Sequence, residues 1–184
     1  MIRKLNYLLI NLIIIIILLQ KKIELRKKYP NHIFTFWEPI DKIPGYINLS
    51  IETWKKYLPE YKLVILNYSN LKYFLSYSMI YKIVNKGMML MSQADAIRIA
   101  VLLKYGGIWM DPDTIITNSY FLQMFKGVNL GMYATKVSNK SFLQFTGFIY
   151  SSKHSKIIKT WYRYIIKNLR FYKLLSFISI YTFY

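Results

Sequence analysis

The chain has no cysteine, only two histidines and only eight acidic residues in 184 positions. Without cysteine there is no disulfide scaffold and no thiolate metal site, a composition at ease in a reducing compartment. The histidines, His32 and His154, share no ligand spacing with each other or with the acids, and neither is assigned a role. The shortage of acids against 26 lysines and arginines leaves a formal charge of +18 on a background that is 54% hydrophobic, which excludes a disordered acidic tail or a collagen-like chain. The length suits one domain with a real core and is too short for two generous ones.

What is abundant is isoleucine, lysine, asparagine, tyrosine and phenylalanine, so a general compositional bias accounts for part of the basic excess. A phosphate-rich ligand, nucleic acid and an anionic membrane face all suit the remainder, and net charge does not choose among them. The placement of the acids is more telling. Glu24, Glu38, Asp41, Glu52 and Glu60 lie in the first third, and the 124 residues after Glu60 hold only Asp95, Asp111 and Asp113. A chain that has shed acids almost everywhere keeps three within nineteen positions, and chemistry is to be sought there.

Residues 1–28 form an apolar segment, Leu5 to Leu19, with basic flanks. At about 1.5 Å per residue its helix reaches roughly 23 Å, short of a hydrocarbon core of about 30 Å. Gln20-Lys21-Lys22 follows in place of a small-residue cleavage site, so the segment reads as an uncleaved anchor or a shallowly inserted helix, with a buried soluble helix as the alternative. Lys21, Lys22, Arg26, Lys27 and Lys28 outnumber Arg3 and Lys4, which places the bulk of the protein on the cytoplasmic side.

A catalytic-size region, 29–170, follows. Ile33 to Trp37 reads as a strand, Ile47, Ile51, Trp54, Tyr57 and Leu58 recur at helical spacing, and Tyr61 to Leu66 is a second strand. This βαβ order predicts a parallel sheet covered by helices, an α/β fold. Residues 71–91 read as helical, and Ser92 to Tyr105 is the best helix, ended by Gly106. Gly107 to Met110 is a short buried strand that delivers Asp111-Pro112-Asp113 at its carboxyl end, where open α/β sheets bind ligands. After Asn118 the signal weakens, with a strand at Phe145 to Tyr150. Lys153, Lys156, Lys159, Arg163, Lys167, Arg170 and Lys173 then step by three or four along a basic amphipathic helix. It suits anionic lipid or an ordinary solvated face. An apolar aromatic tail, 171–184, reads as unfinished.

Three groups can carry chemistry. Asp111 and Asp113, two apart on an extended segment stiffened by Pro112, face the same way and offer hard oxygens suited to Mg²⁺ or Mn²⁺ rather than zinc. A surface turn is the plainer account of Asp-Pro-Asp. Ser92-Gln93-Ala94-Asp95 fits a capping box, with Asp95 answering a Ser92 N-cap and Arg98 within reach for a helix-surface pair. The same face, at a helix N-terminus, can hold a phosphate and a sugar hydroxyl. Trp37, at a strand end, is either core or a platform for a nucleobase.

Taken in order, Ile33-Phe34-Thr35-Phe36-Trp37-Glu38-Pro39, Ile43-Pro44-Gly45-Tyr46 with Glu52 to Pro59, Ala94-Asp95-Ala96-Ile97-Arg98 and Lys104-Tyr105-Gly106-Gly107-Ile108-Trp109-Met110-Asp111-Pro112-Asp113-Thr114 resemble the capsular polysaccharide synthesis proteins. These belong to the glycosyltransferases with a D-x-D sugar-binding motif, a group that includes yeast-type mannosyltransferases. The resemblance covers roughly residues 31–160 and implies a GT-A fold, a nucleotide-sugar donor and Mn²⁺ or Mg²⁺. It also implies roles: Trp37 stacks on the base, Asp95 and Arg98 hold the donor sugar, Asp111 contacts ribose and sugar, and Asp113 ligates the metal. Arg98 and the ion neutralise the departing diphosphate while a saccharide or lipid-linked acceptor attacks, with retained configuration. Family members usually continue past the equivalent of Tyr184, so the chain reads as C-terminally truncated. The competing expectation is a non-catalytic membrane-surface protein or an inactive remnant. Nucleic acid is not an expected partner, because the basic residues lie mainly in the anchor flank and one helix.

Overall fold

The computed structural model describes residues 31–84, 89–125, 127–138 and 141–181. The apolar segment at 5–19 and its basic flank lie outside the described residues, as do 182–184. In chain order the elements are β1 (His32–Phe36), α1 (Gly45–Tyr57), β2 (Lys62–Leu66), α2 (Leu71–Phe74), α3 (Tyr77–Ile83), α4 (Leu90–Tyr105) and β3 (Gly107–Met110). A 3-10 helix, Tyr120–Phe125, follows, and then β4 (Leu130–Ser138), β5 (Ser141–Ser151) and α5 (Lys156–Tyr181).

The five strands form one mixed sheet in the order β2-β1-β3-β5-β4. β1 runs parallel to β2 and β3, whereas β5 is antiparallel to both β3 and β4. The predicted βαβ unit is thus present, and an antiparallel hairpin is added at its far edge. The two-residue period of each central strand divides its side chains between two cores. Phe34, Trp109 and Ile149 face one way, onto α4 and Ile158 of α5. Ile33, Ile108, Met110, Phe148 and Tyr150 face the other, onto Ile47, Ile51 and Trp54 of α1. Helices cover both faces, and β3 is buried along its whole length, as parallel strands usually are.

The two helices of the first face differ in exposure. Residues 96–102 of α4 are buried without a break, so this helix runs through the core, and its predicted apolar face is nearly its whole circumference. On α5, Ile158 is buried and Trp161, Tyr162, Ile165 and Ile166 pack on the same core, while Lys156, Lys159, Arg163 and Lys167 are exposed. Among the described residues no helix is long and apolar enough to cross a membrane.

Several expectations change. The helical reading of 71–91 resolves into α2 and α3, separated at Leu75-Ser76, with 85–88 outside the described residues. Lys153 sits in the turn before α5. The strand expected from Phe145 begins at Ser141, and β4 had no clear sequence signal. The helix end at Tyr105 holds as predicted: Gly106 and Gly107 both have positive φ, and a Cβ on Gly107 would lie 2.6 Å from the His32 carbonyl oxygen. Only glycine takes that backbone at that approach, which is how α4 passes directly into β3.

Candidate active site

Arg98 organises the carboxyl end of the sheet. It is the ninth residue of α4, lies in the buried stretch, and is only 6% exposed. A charge in that position requires acceptors, and three are supplied. Nη2 donates to Asp111 Oδ1 at 2.9 Å and lies 3.2 Å from Asp95 Oδ1. Nη1 donates to the Thr146 carbonyl at 2.7 Å. The guanidinium also stacks over the Trp109 ring, 5.1 Å from its centroid. The Nε–H is buried without an acceptor.

Asp111 is held from four directions. Its Oδ1 accepts from Arg98 and also from Trp109 Nε1 at 2.8 Å. Its N–H donates to the Gly147 carbonyl at 2.7 Å, and its own carbonyl accepts from Thr114 N–H at 2.9 Å. The last bond closes residues 111–114 into a turn. The Asp-Pro-Asp segment is therefore a turn rather than an extended strand end, which corrects the expectation that its two carboxylates share a face by simple alternation. Asp113 stands exposed beyond it. The chain that follows is fastened to α1, where Trp54 Nε1 donates to the Thr114 carbonyl at 2.6 Å and Thr53 Oγ1 accepts from Ile116 N–H at 3.0 Å.

Of the two acceptors from β5, the Thr146 carbonyl goes with an irregularity in the hairpin. Met132 pairs with Ile149, but the next residue, Tyr133, pairs with Phe145, so 146–148 have no opposite number on β4. This bulge leaves the Thr146 carbonyl to Arg98, while the Gly147 carbonyl continues the β3–β5 ladder by accepting from Asp111 N–H. Gly147 is there for space: a Cβ on it would lie 2.8 Å from Asp111 Oδ2 and would also strike the Phe145 ring.

Asp95 does not cap its helix. α4 begins at Leu90 with Met89 at the N-cap and no side-chain cap bond, so Asp95 is the sixth helical residue and the Ser92 capping box is not formed. Leu and Met are good helix formers, and they carry the helix past the serine. The Asp95–Arg98 ion pair is present, yet it joins a carboxylate more than half exposed to a buried arginine and is not a surface pair. Partial burial raises the Asp95 pKa first and the Asp111 charge adds to this, against the opposing pull of Arg98.

Trp37 lies one residue beyond β1, half-buried against the α1 core, with its Nε1 donating to the Lys42 carbonyl at 3.3 Å. It is not brought against the Arg98 group, but a polar relay joins the two ends. The Glu38 carboxylate accepts from Tyr68 N–H, and Tyr68 Oη donates to Gln93 of α4 at 2.9 Å. Beside Asp95 and Arg98 a cleft of about 250 Å³ opens between α4 and α5, walled by Ser92, Thr146, Trp161, Tyr164 and Asn168. Of the residues expected at the site, the fold therefore gathers Asp95, Arg98 and Asp111, leaves Asp113 at the rim and sets Trp37 apart. Trp109, Thr146, Gly147 and the α5 wall were not anticipated. A lone glycine inside the strand Phe145–Tyr150 is the one signal that pointed there, since it marks close backbone approach.

Among the described residues no group of three or more His, Asp or Glu gathers in metal-ligand fashion. The carboxylate oxygens that the turn leaves for a cation are Asp111 Oδ2, which Gly147 leaves uncrowded, and those of Asp113.

Among solved structures, the chain is similar to the PaToxG glycosyltransferase, at 19% identity and a TM-score of 0.52 over 78% of this chain and 62% of that one. The chain thus spans less than two thirds of that structure, and at this identity the likeness speaks for the fold alone. No curated protein matches it. Residues 3–181 match the model of the capsular polysaccharide synthesis proteins, and the chain is a member of that family.

Proposed function

We propose that the chain is a metal-dependent glycosyltransferase of GT-A type. It moves a sugar from a nucleotide-sugar donor to a saccharide or lipid-linked acceptor in capsular or other surface polysaccharide synthesis, with retained configuration. The observation that carries this reading is the Asp111 carboxylate at the carboxyl end of β3, with one oxygen locked by Trp109 and Arg98, beside an exposed Asp113. Family membership and the shared fold support a transferase of this kind.

Mn²⁺ or Mg²⁺ fits the donors present, because a hard divalent ion is commonly held by one or two carboxylates with substrate phosphates completing its shell. Asp113 and Asp111 Oδ2 would be its ligands, and when bound the ion neutralises charge on the leaving diphosphate. The remaining work falls to the chain. Arg98 orients Asp111 and sets positive potential at the strand end. Asp95 accepts from donor-sugar hydroxyls, and Trp37 offers a ring face to the base. The bond from the anomeric carbon to the diphosphate oxygen breaks, the acceptor oxygen takes its place, and the acceptor proton leaves with the phosphate.

The exposed cations of α5 favour membrane association of the catalytic domain, on the cytoplasmic side. The test is thermal unfolding of the full chain with UDP or GDP. A nucleotide at 100 times its Kd stabilises by about 2.7 kcal/mol; this shift is expected only with Mn²⁺ or Mg²⁺ present, and Asp113→Ala abolishes it. A shift that ignores metal, or none at all, sinks the reading and leaves a non-catalytic membrane-surface protein.

A further inference from the structure

The cleft between α4 and α5 is more than a wall of the Asp95–Arg98 group. Its α4 side carries Ser92, Asp95 and Arg98 beside Ile99, and among the described residues the buried Nε–H of Arg98 has no acceptor. Its α5 side presents two aromatic rings, Trp161 and Tyr164, one turn apart and followed by Asn168. A second, more open hollow of about 530 Å³ lies across the same two rings, lined by Lys156, Ile157 and Thr160. Trp161 and Tyr164 are therefore a ridge shared by two adjacent depressions along one helix.

This chemistry matches a sugar chain. A pyranose ring has C–H faces that are apolar and slightly positive, which suit the negative face of an aromatic ring, and an equator of hydroxyls that need donors and acceptors. Trp161 and Tyr164 supply the first, and Ser92 and Asn168 supply the second, with Asp95 left to the donor sugar. A pocket of about 250 Å³ is below the usual size for a drug-like ligand and suits one ring. Tyr164 is 65% exposed, so a ring in the cleft is not sealed off and a chain can continue over the ridge. A donor has a single sugar to place, whereas two hollows in a row accommodate successive residues of a glycan.

We propose that the Trp161–Tyr164 ridge of α5 is an acceptor-binding site that seats two neighbouring rings of a saccharide chain, the inner one on the α5 side of the cleft, next to the donor sugar held at Asp95. The assignment deepens the glycosyltransferase reading and rests on it.

The test is saturation-transfer NMR on the full chain, with glucose, galactose, mannose and N-acetylglucosamine and the disaccharides lactose and maltose as probes. Transfer is expected to the ring C–H protons of at least one sugar, with the disaccharide binding more tightly than its monosaccharides and UDP with Mn²⁺ failing to displace it. Tyr164→Ala and Asn168→Ala each weaken binding about tenfold, while the metal-dependent thermal shift with nucleotide stays as in the wild type. Both side chains reach the surface, so neither variant depends on repacking the core as Trp161→Ala would. Absence of transfer from every probe overturns the proposal, and so does transfer that both variants leave unchanged. Displacement by UDP-glucose but not by UDP assigns the ring to the donor and also overturns it. Loss of the nucleotide shift with Tyr164-dependent sugar binding intact instead refutes the transferase reading and leaves a glycan-binding groove.

Discussion

α4 and α5 share one core and border one cleft, yet α4 carries its arginine inside and α5 carries its cations outside. Arg98 is surrounded by the Asp111 and Asp95 carboxylates, the Thr146 carbonyl and the Trp109 ring. Lys156, Lys159, Arg163 and Lys167 stand in solvent on a chain with eight acids in all. Exposed charge is tolerated almost anywhere, whereas buried charge survives only where the fold brings acceptors to it. A residue like Arg98 thus reports on several elements at once: it is evidence of a turn after β3 and of a bulge in β5 that its own helix does not contain.

If that contrast is right, the largest effect comes from removing the inner charge. Arg98→Met leaves the Thr146 carbonyl without its donor and Asp111 Oδ1 with Trp109 alone, and should destabilise the chain by about 3 kcal/mol in urea unfolding. Arg98→Lys should recover only part of this, because an ammonium does not reproduce the fork. A fully stable Met variant would break the comparison. Gly147→Ala comes next. The added methyl meets Asp111 Oδ2 and the Phe145 ring; Phe145 is half-exposed and can swing away, whereas Asp111 is pinned. A loss of about 1–2 kcal/mol is expected by the same unfolding measurement, together with weaker metal-dependent nucleotide binding.

Asp95 gives a smaller, pH-dependent effect. Because burial and Asp111 raise its pKa, the folded chain holds this proton to higher pH than the unfolded chain does. The contribution is most favourable below the ordinary aspartate pKa of about 4, declines as pH rises through the raised folded value, and stays low above it. Asp95→Asn should therefore melt slightly above wild type at about pH 7 and equal it at about pH 3. A gain that persists in acid would assign the effect to something other than this proton. Smallest for stability is the outer charge: Lys159, Arg163 and Lys167 changed together to Glu should shift unfolding by no more than about 0.5 kcal/mol per site. The same variant should lose co-sedimentation with vesicles containing phosphatidylserine. Unchanged sedimentation would show that these cations face no membrane.

The sequence made the βαβ core and the α4–β3 passage legible because each is local: helical spacing in α1, an apolar run in β2, and two glycines where α4 ends. Asp95, Arg98 and Asp111 were likewise readable as a group, since one helix and the strand after it bring them together. What stayed hidden is non-local or lacks a side-chain signature. β4 is defined by its partner β5 more than by its own residues, and the Thr146 acceptor is a backbone carbonyl that any residue would supply. The Ser92 cap failed because a short-range motif competed with good helix formers just upstream. Exposure of the Asp113 turn depended on α1, whose Thr53 and Trp54 hold the loop sixty residues away.

The three unmatched residues of β5 also set how this hairpin tolerates change. Just outward of the bulge, Tyr133 already packs on the Phe125 and Phe148 rings. Within it, deleting a single residue would draw the Thr146 carbonyl from the arginine or the Gly147 carbonyl from the aspartate amide, so the waist of the hairpin is where a change of length reaches the site.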